Sequence, residues 1–256
     1  MAVSSTALVP YSTLLQQFKA GPPGKLYCLH GTGSVFRLSL SAAAHVLLGG
    51  VPITLVDGTN HFDVYYIAEF ARRMASSGGP SPDELLNNIF ISRAFTCYQM
   101  EAVITERLPA FVLKKSSPIA IIFGLLDTFY DEQASLSDVR AGVRRIIGAL
   151  RQLKEAKISV LLASLDVKPA STERSALFPQ VCSVMDEVYA VTEEEGGPRI
   201  AREPLRKDQG DERKKLQTPQ GEKREIWRKT NTEAQRTQRA TEEGFLGAEK
   251  RIRNCA

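Results

Sequence analysis

Between Lys25 and Thr192, short apolar or β-branched runs alternate with amphipathic stretches of helical length, and few folds accept that rhythm. A continuous apolar run suits a strand covered on both faces, and a helix between two such runs returns the chain for a parallel neighbour. The strand candidates are Leu26–His30, Ile53–Asp57, Ile89–Ala94, Ile119–Leu125, Ile158–Ser164 and Glu187–Thr192. Arg199–Arg202 is expected to close a hairpin through Gly196–Gly197. After Asp63, the steps Val64, Ile67, Phe70, Ala71 and Met74 predict one buried helical face. After Ser137, the residues Val139, Val143, Ile146, Ile147, Leu150 and Leu153 predict another, with Ser137 and Asp138 at its start. Pro109 should end or kink a helix that begins near Gln99. The class is α/β, with a mainly parallel central sheet, flanking helices and a C-terminal β-hairpin.

Charge divides the chain. Of 33 basic and 29 acidic residues in 256, the stretch from Leu205 to Ala256 holds 14 and 9, leaving 19 and 20 before it. That stretch is too poor in aliphatic residues to bury a core and reads as a charged tail that does not fold alone. Residues 1–10 read as a flexible lead-in and 11–204 as the folded domain. The longest apolar stretch, around Ile119–Leu126, is far short of a membrane span, so no membrane partner is expected. Met1–Pro10 has no basic segment ahead of its weak apolar run, which predicts a cytoplasmic or nuclear protein without a secretory signal. Cys28, Cys97, Cys182 and Cys255 form no Cys-x-x-Cys pair; free thiols are expected, with no metal site.

Leu26–His30, the turn Gly31–Ser34 and a predicted helix Leu38–Leu48 have the strand–turn–helix order of a phosphate-binding loop. Such a loop needs small residues for backbone wrapping, a Lys for the β/γ oxygens and a hydroxyl for Mg²⁺. Counted from Gly31, Phe36 stands where the last Gly belongs, Arg37 where the Lys belongs and Leu38 where the hydroxyl belongs. The degenerate nucleotide-binding candidates are therefore Gly31, Thr32, Gly33, Ser34 and Arg37.

Residues Tyr11 to Pro204 resemble the core of the RecA/RadA recombinase superfamily, closer to its archaeal and eukaryotic branch. Lys25-Leu-Tyr-Cys-Leu-His-Gly31 is similar to the strand entering the phosphate loop; Ile53-Thr-Leu-Val-Asp57 with Phe62 is similar to the strand ending in an aspartate. Leu86-Asn-Asn-Ile-Phe-Ile-Ser-Arg-Ala-Phe95 with Gln99 resembles the family's Asn-Ile, Arg-Ala-aromatic and Gln pattern. The resemblance implies a RecA-like P-loop NTPase fold, and it also exposes losses. Phe123 stands for the metal-binding carboxylate, Thr59 for the water-activating Glu, and Ser164-Leu165 for the polar Asn-Gln sensor. No catalytic or metal-binding residue is assigned. Asp127, Asp131 and Glu132 lie just past the strand as substitute acids or as solvated loop residues, and His30 and His61 near strand ends read first as structural.

The family's first DNA loop corresponds to Asp131–Ser137, acidic and unsuited to phosphate; its second corresponds to Lys168–Ser183, with Lys168, Arg174 and Phe178. Arg140, Arg144 and Arg151, with Lys154, share a helix face that is either an electrostatic footprint for DNA or an acidic partner, or a solvated surface. In the tail, Arg213-Lys-Lys215, Lys223-Arg224 and Arg228-Lys229 surround Trp227 among interleaved acids. Together these features lead to the expectation of a non-hydrolysing recombinase paralogue, an accessory or scaffold protein in homologous recombination or DNA repair that binds a recombinase-like or other protein subunit, or DNA. ATP binding without hydrolysis is compatible with that expectation. A divergent ATPase, and a KaiC-like regulatory module unrelated to DNA, are the alternatives.

Overall fold

A computed structural model describes residues 7–20, 23–167, 169 and 171–204; the charged tail and Lys168 lie outside them. Eight strands form one sheet in the order β1-β8-β7-β2-β6-β5-β3-β4. The central strands β2 (Leu26–Gly31), β6 (Ser159–Leu165), β5 (Ile119–Phe123), β3 (Ile53–Asp57) and β4 (Ile89–Arg93) run parallel, as does β7 (Glu187–Glu194) beside β2. β8 (Gly197–Glu203) and β1 (Ala7–Leu8) add antiparallel edges. The α/β class and the mainly parallel sheet follow from the apolar runs: β3 and β5 are buried along their whole length, as strands covered on both faces must be.

Alternate residues of β2, β3, β5, β6 and β7 feed two separate cores. On one face, Tyr27 and Leu29 pack with α1 (Tyr11–Ala20), α2 (Ser34–Leu47), α3 (Val64–Ala75) and α4 (Pro82–Leu86). On the other, Leu26 and Cys28 pack with α5 (Cys97–Ala102), α6 (Leu108–Lys114), α7 (Leu136–Glu155) and α8 (Leu177–Cys182). Period-two alternation along a strand delivers neighbouring residues to opposite layers.

Several boundaries differ from the sequence reading. The helix placed at Leu38–Leu48 begins at Ser34, because Val35 and Phe36 are drawn into the core and the backbone winds to bury them. The lead-in contributes Ala7–Leu8, paired with Arg202 and Ala201 of β8. Asp63 caps α3 by accepting from the amides of Tyr65 and Tyr66, while Val64 points outward. Ser135 rather than Ser137 caps α7, accepting from the Asp138 amide. Pro109 does not end its helix. A π-helical stretch, Val103–Arg107, lies between α5 and α6 and accommodates the proline in the first turn of α6. The hairpin turns at Glu195–Gly196, with Gly197 already paired to Glu194.

Candidate functional site

Ligands of open parallel sheets collect at the carboxyl ends of the strands, and here β2, β3 and β5 bring the altered motif residues together at that end. The segment after β2 is closed. Gly31 has φ +135°, and a Cβ there would lie 2.0 Å from the Val191 carbonyl oxygen of β7, so only glycine fits. The Thr32 amide donates to that same carbonyl at 3.1 Å, and the Gly31 carbonyl accepts from the Asp166 amide at 2.9 Å. Only Thr32 and Gly33 separate β2 from α2, too few residues for a backbone cradle around a phosphate chain. The hydroxyls of Thr32 and Ser34 donate instead to the carboxylate of Glu193, in β7 one pair before the hairpin's closing pair. A carboxylate of this chain thus holds the mouth of α2, where the helix end favours an anion.

Behind the loop the space is aromatic. Phe36, 3% exposed, stacks on His61 with centroids 4.0 Å apart and meets Phe123 edge-on at 5.1 Å. Phe123, at the end of β5, is 0% exposed. Asp57 organises the outer wall of this cluster: its buried carboxylate accepts from the amides of Thr59 (3.2 Å), His61 (3.2 Å) and Phe62 (3.0 Å), curling the β3 loop so that His61 covers Phe36. Arg37 is exposed and turns away, its guanidinium 5.7 Å from the Tyr66 ring centroid. Leu38 is buried, and its carbonyl accepts from the Tyr11 hydroxyl at 2.8 Å.

These residues do not fit a magnesium nucleotide. Arg37 turns away from the loop toward Tyr66, the end of β5 is the buried ring of Phe123, and Phe36 meets that ring edge-on, so these described residues offer no polar partners to phosphates. Among the described residues, no group of three or more His, Cys, Asp or Glu side chains is placed to hold a metal ion.

One acid does reach this site. Asp131 and Glu132 are exposed, but Asp127 is partly buried and its Oδ2 has no hydrogen-bond partner. Thr59 Oγ1 is likewise unpartnered. Both oxygens crowd Gly124 (φ +61°): an added Cβ would stand 2.6 Å from Asp127 Oδ2 and 3.0 Å from Thr59 Oγ1. Desolvation raises the Asp127 pKa, opposed in part by its own backbone amide and, less, by His61. The glycine directly after a fully apolar strand was the available signal for this close approach.

The remaining candidates are scattered. Arg174 is 5% exposed, and its guanidinium donates to the carbonyls of Phe129 (2.5 Å), Asp131 (2.6 Å) and Ala134 (2.6 Å). It clamps the loop after β5 from within and offers nothing to solvent. Phe178 packs edge-on against His30 with centroids 4.9 Å apart, while His30 Nδ1 lies 2.7 Å from Asp166 Oδ1. Arg140, Arg144 and Arg151 are exposed along α7 and have no carboxylate partner among the described residues. Their neighbours differ: Arg145 is paired with Glu101 and Lys154 with Asp186. α7 belongs to the layer opposite α2, so the arginine stripe and the β2–α2 loop are separate features.

The sequence reading missed the free edge of the sheet. Among the described residues β4 pairs only with β3, and Ile91 on it, Phe95 just past its end and Phe111, which packs edge-on against its Phe90, are exposed. Such an edge is a template for another strand. No protein-family model matches the chain, and no curated protein matches it. Among the described residues no helix is long and apolar enough to cross a membrane.

Proposed function

We propose that this chain is a degenerate RecA/RadA-like core that works without ATP hydrolysis, as an accessory or scaffold subunit in DNA recombination or repair. The observation that carries the reading is the Phe36–Phe123–His61 cluster, with Glu193 accepting from Ser34 at the start of α2. Phosphoryl transfer depends on positioning and electrostatic stabilisation of the phosphates, and apolar rings supply neither. A protein that retains an α/β core with this site filled acts through its surfaces. Two surfaces support binding to a partner: the open β4 edge with its exposed aromatic residues suits strand addition by another protein, and the unpaired arginines of α7 suit a phosphate backbone.

Turnover of Mg²⁺-ATP by the purified full chain, with and without single-stranded DNA, tests the reading. The expected rate equals the buffer background, and saturating ATP leaves the melting temperature unchanged. A measurable rate that Arg37→Ala abolishes would overturn it in favour of a divergent ATPase. Absence of any salt-dependent binding to single- or double-stranded DNA would favour the KaiC-like regulatory alternative.

A further inference from the structure

We propose that Cys28 and Cys182 are a thiol pair that a peroxide converts to a reversible disulfide. Cys28 lies on β2 with its side chain in the layer beneath α8, together with Leu26, while Tyr27 and Leu29 enter the opposite layer. Cys182 is the last residue of α8 and packs against the Cys28 layer. Cys182 packs against the core cluster that holds Cys28 and Val188, the β7 register partner of Cys28, and Val188 and Cys182 line one cavity; Cys182 and burial together raise the Cys28 pKa above the ordinary thiol range.

A cavity of about 240 Å³ gives access from one side. Its walls are Phe178, Pro179, Cys182 and Ser183 from the α8 region, with Val188 and Glu203 from the hairpin strands. Val188 is the β7 register partner of Cys28, so the cavity lies just outside the buried thiol while its wall contains the outer one. A water molecule occupies about 30 Å³ of liquid, so hydrogen peroxide enters such a space easily.

This asymmetry orders the chemistry. The Cys182 sulfur attacks peroxide; an S–O bond forms, the O–O bond breaks, and the departing hydroxide takes the Cys182 thiol proton as one water, leaving Cys182 as the sulfenic acid. The Cys28 sulfur, held back as a first nucleophile by its raised pKa, then attacks the sulfenyl sulfur. An S–S bond forms, the S–O bond breaks, and the departing hydroxide takes the Cys28 proton as a second water. Two thiols lose two electrons and one peroxide is reduced to two waters. The bond would fasten α8 to the central strand one turn from Phe178, which packs on His30.

Graded hydrogen peroxide is added to the reduced full chain, thiols are trapped with N-ethylmaleimide, and a non-reducing digest is read by mass spectrometry. The expected product is a Cys28–Cys182 peptide pair lacking two hydrogens, reversed by dithiothreitol and unaffected by Cys97→Ser. Cys182→Ser should leave Cys28 reduced, and Cys28→Ser should leave Cys182 carrying one or more added oxygens. The oxidised wild-type chain should also melt roughly 5 °C higher than the reduced chain. Wild-type protein decides the matter even if Cys28→Ser misfolds: Cys182 oxidised to the sulfinic acid while Cys28 still accepts maleimide on unfolding, or a bond from either residue to Cys97 or Cys255, would overturn the proposal.

Discussion

Asp127 shows how a single side chain can be set against its surroundings. Its Oδ2 is buried without a partner beside Gly124 and Thr59, and desolvation raises its pKa. The folded state therefore holds this proton more tightly than the unfolded chain, in which the carboxyl titrates near its ordinary value. Between those two pKa values the native state binds more protons, so its stability declines as pH rises through that interval. Asp127→Asn keeps the shape and removes the charge. It should be more stable than wild type at pH 7, and the advantage should vanish near pH 4, roughly the ordinary carboxylate pKa, as the wild-type carboxyl takes up its proton. Urea denaturation at both pH values checks this; a variant less stable than wild type at pH 7 would mean that the carboxylate has a cationic partner. Arg174 is the opposite case, a buried cation whose donors meet three carbonyls. Arg174→Ala strands those carbonyls and should cost about 2–4 kcal/mol in urea denaturation, with Arg174→Lys recovering only part because it lacks the planar fork. A loss below about 0.5 kcal/mol, the usual range for an ordinary surface change, would remove the clamp from the account.

Elements were legible where burial is written in consecutive residues. Ile53–Asp57 forms the strand as read, and Ile119–Leu125 shortens only to Phe123, because both are dominated by apolar residues and are buried along their whole length between neighbouring strands. The start of α2 was not legible. Gly31-Thr32-Gly33-Ser34 has the composition of a loop, and what winds the helix from Ser34 is a tertiary fact, the burial of Val35 and Phe36. Ser135 and Ser137 offer the same capping chemistry, and only the backbone path decides that Ser135 receives the Asp138 amide. At the candidate site, Phe36, Arg37, Thr59 and Phe123 could be picked out one by one from their order along the strand ends. Their contacts could not: Glu193 reaches Ser34 across 159 positions, and Arg174 reaches the loop after β5 across about 40. Long-range polar partners leave no period in a sequence, whereas burial in a strand or helix does.

Across the whole molecule, charge and core are distributed differently. The residues before Leu205 carry 19 basic and 20 acidic side chains and contain both hydrophobic layers, while the remaining 52 positions hold 14 of the 33 basic residues. Affinity for a nucleic-acid backbone grows with the number of phosphates neutralised and weakens with salt in proportion to that number. Two sources of positive charge are available to this chain, the tail and the Arg140, Arg144 and Arg151 stripe on α7, and they predict different outcomes. Removing 205–256 should weaken binding to single-stranded DNA about tenfold or more at moderate salt and flatten the dependence of log K on log salt by several units, since each lost contact removes roughly 0.7 from the slope. Replacing the three α7 arginines with alanine can lower that slope by at most about 2. Fluorescence titrations of the full chain, the 1–204 fragment and the triple variant at three salt concentrations separate the two contributions. If the fragment binds as tightly as the full chain and the triple variant does not, the folded face is the nucleic-acid surface and the tail's charge serves another purpose.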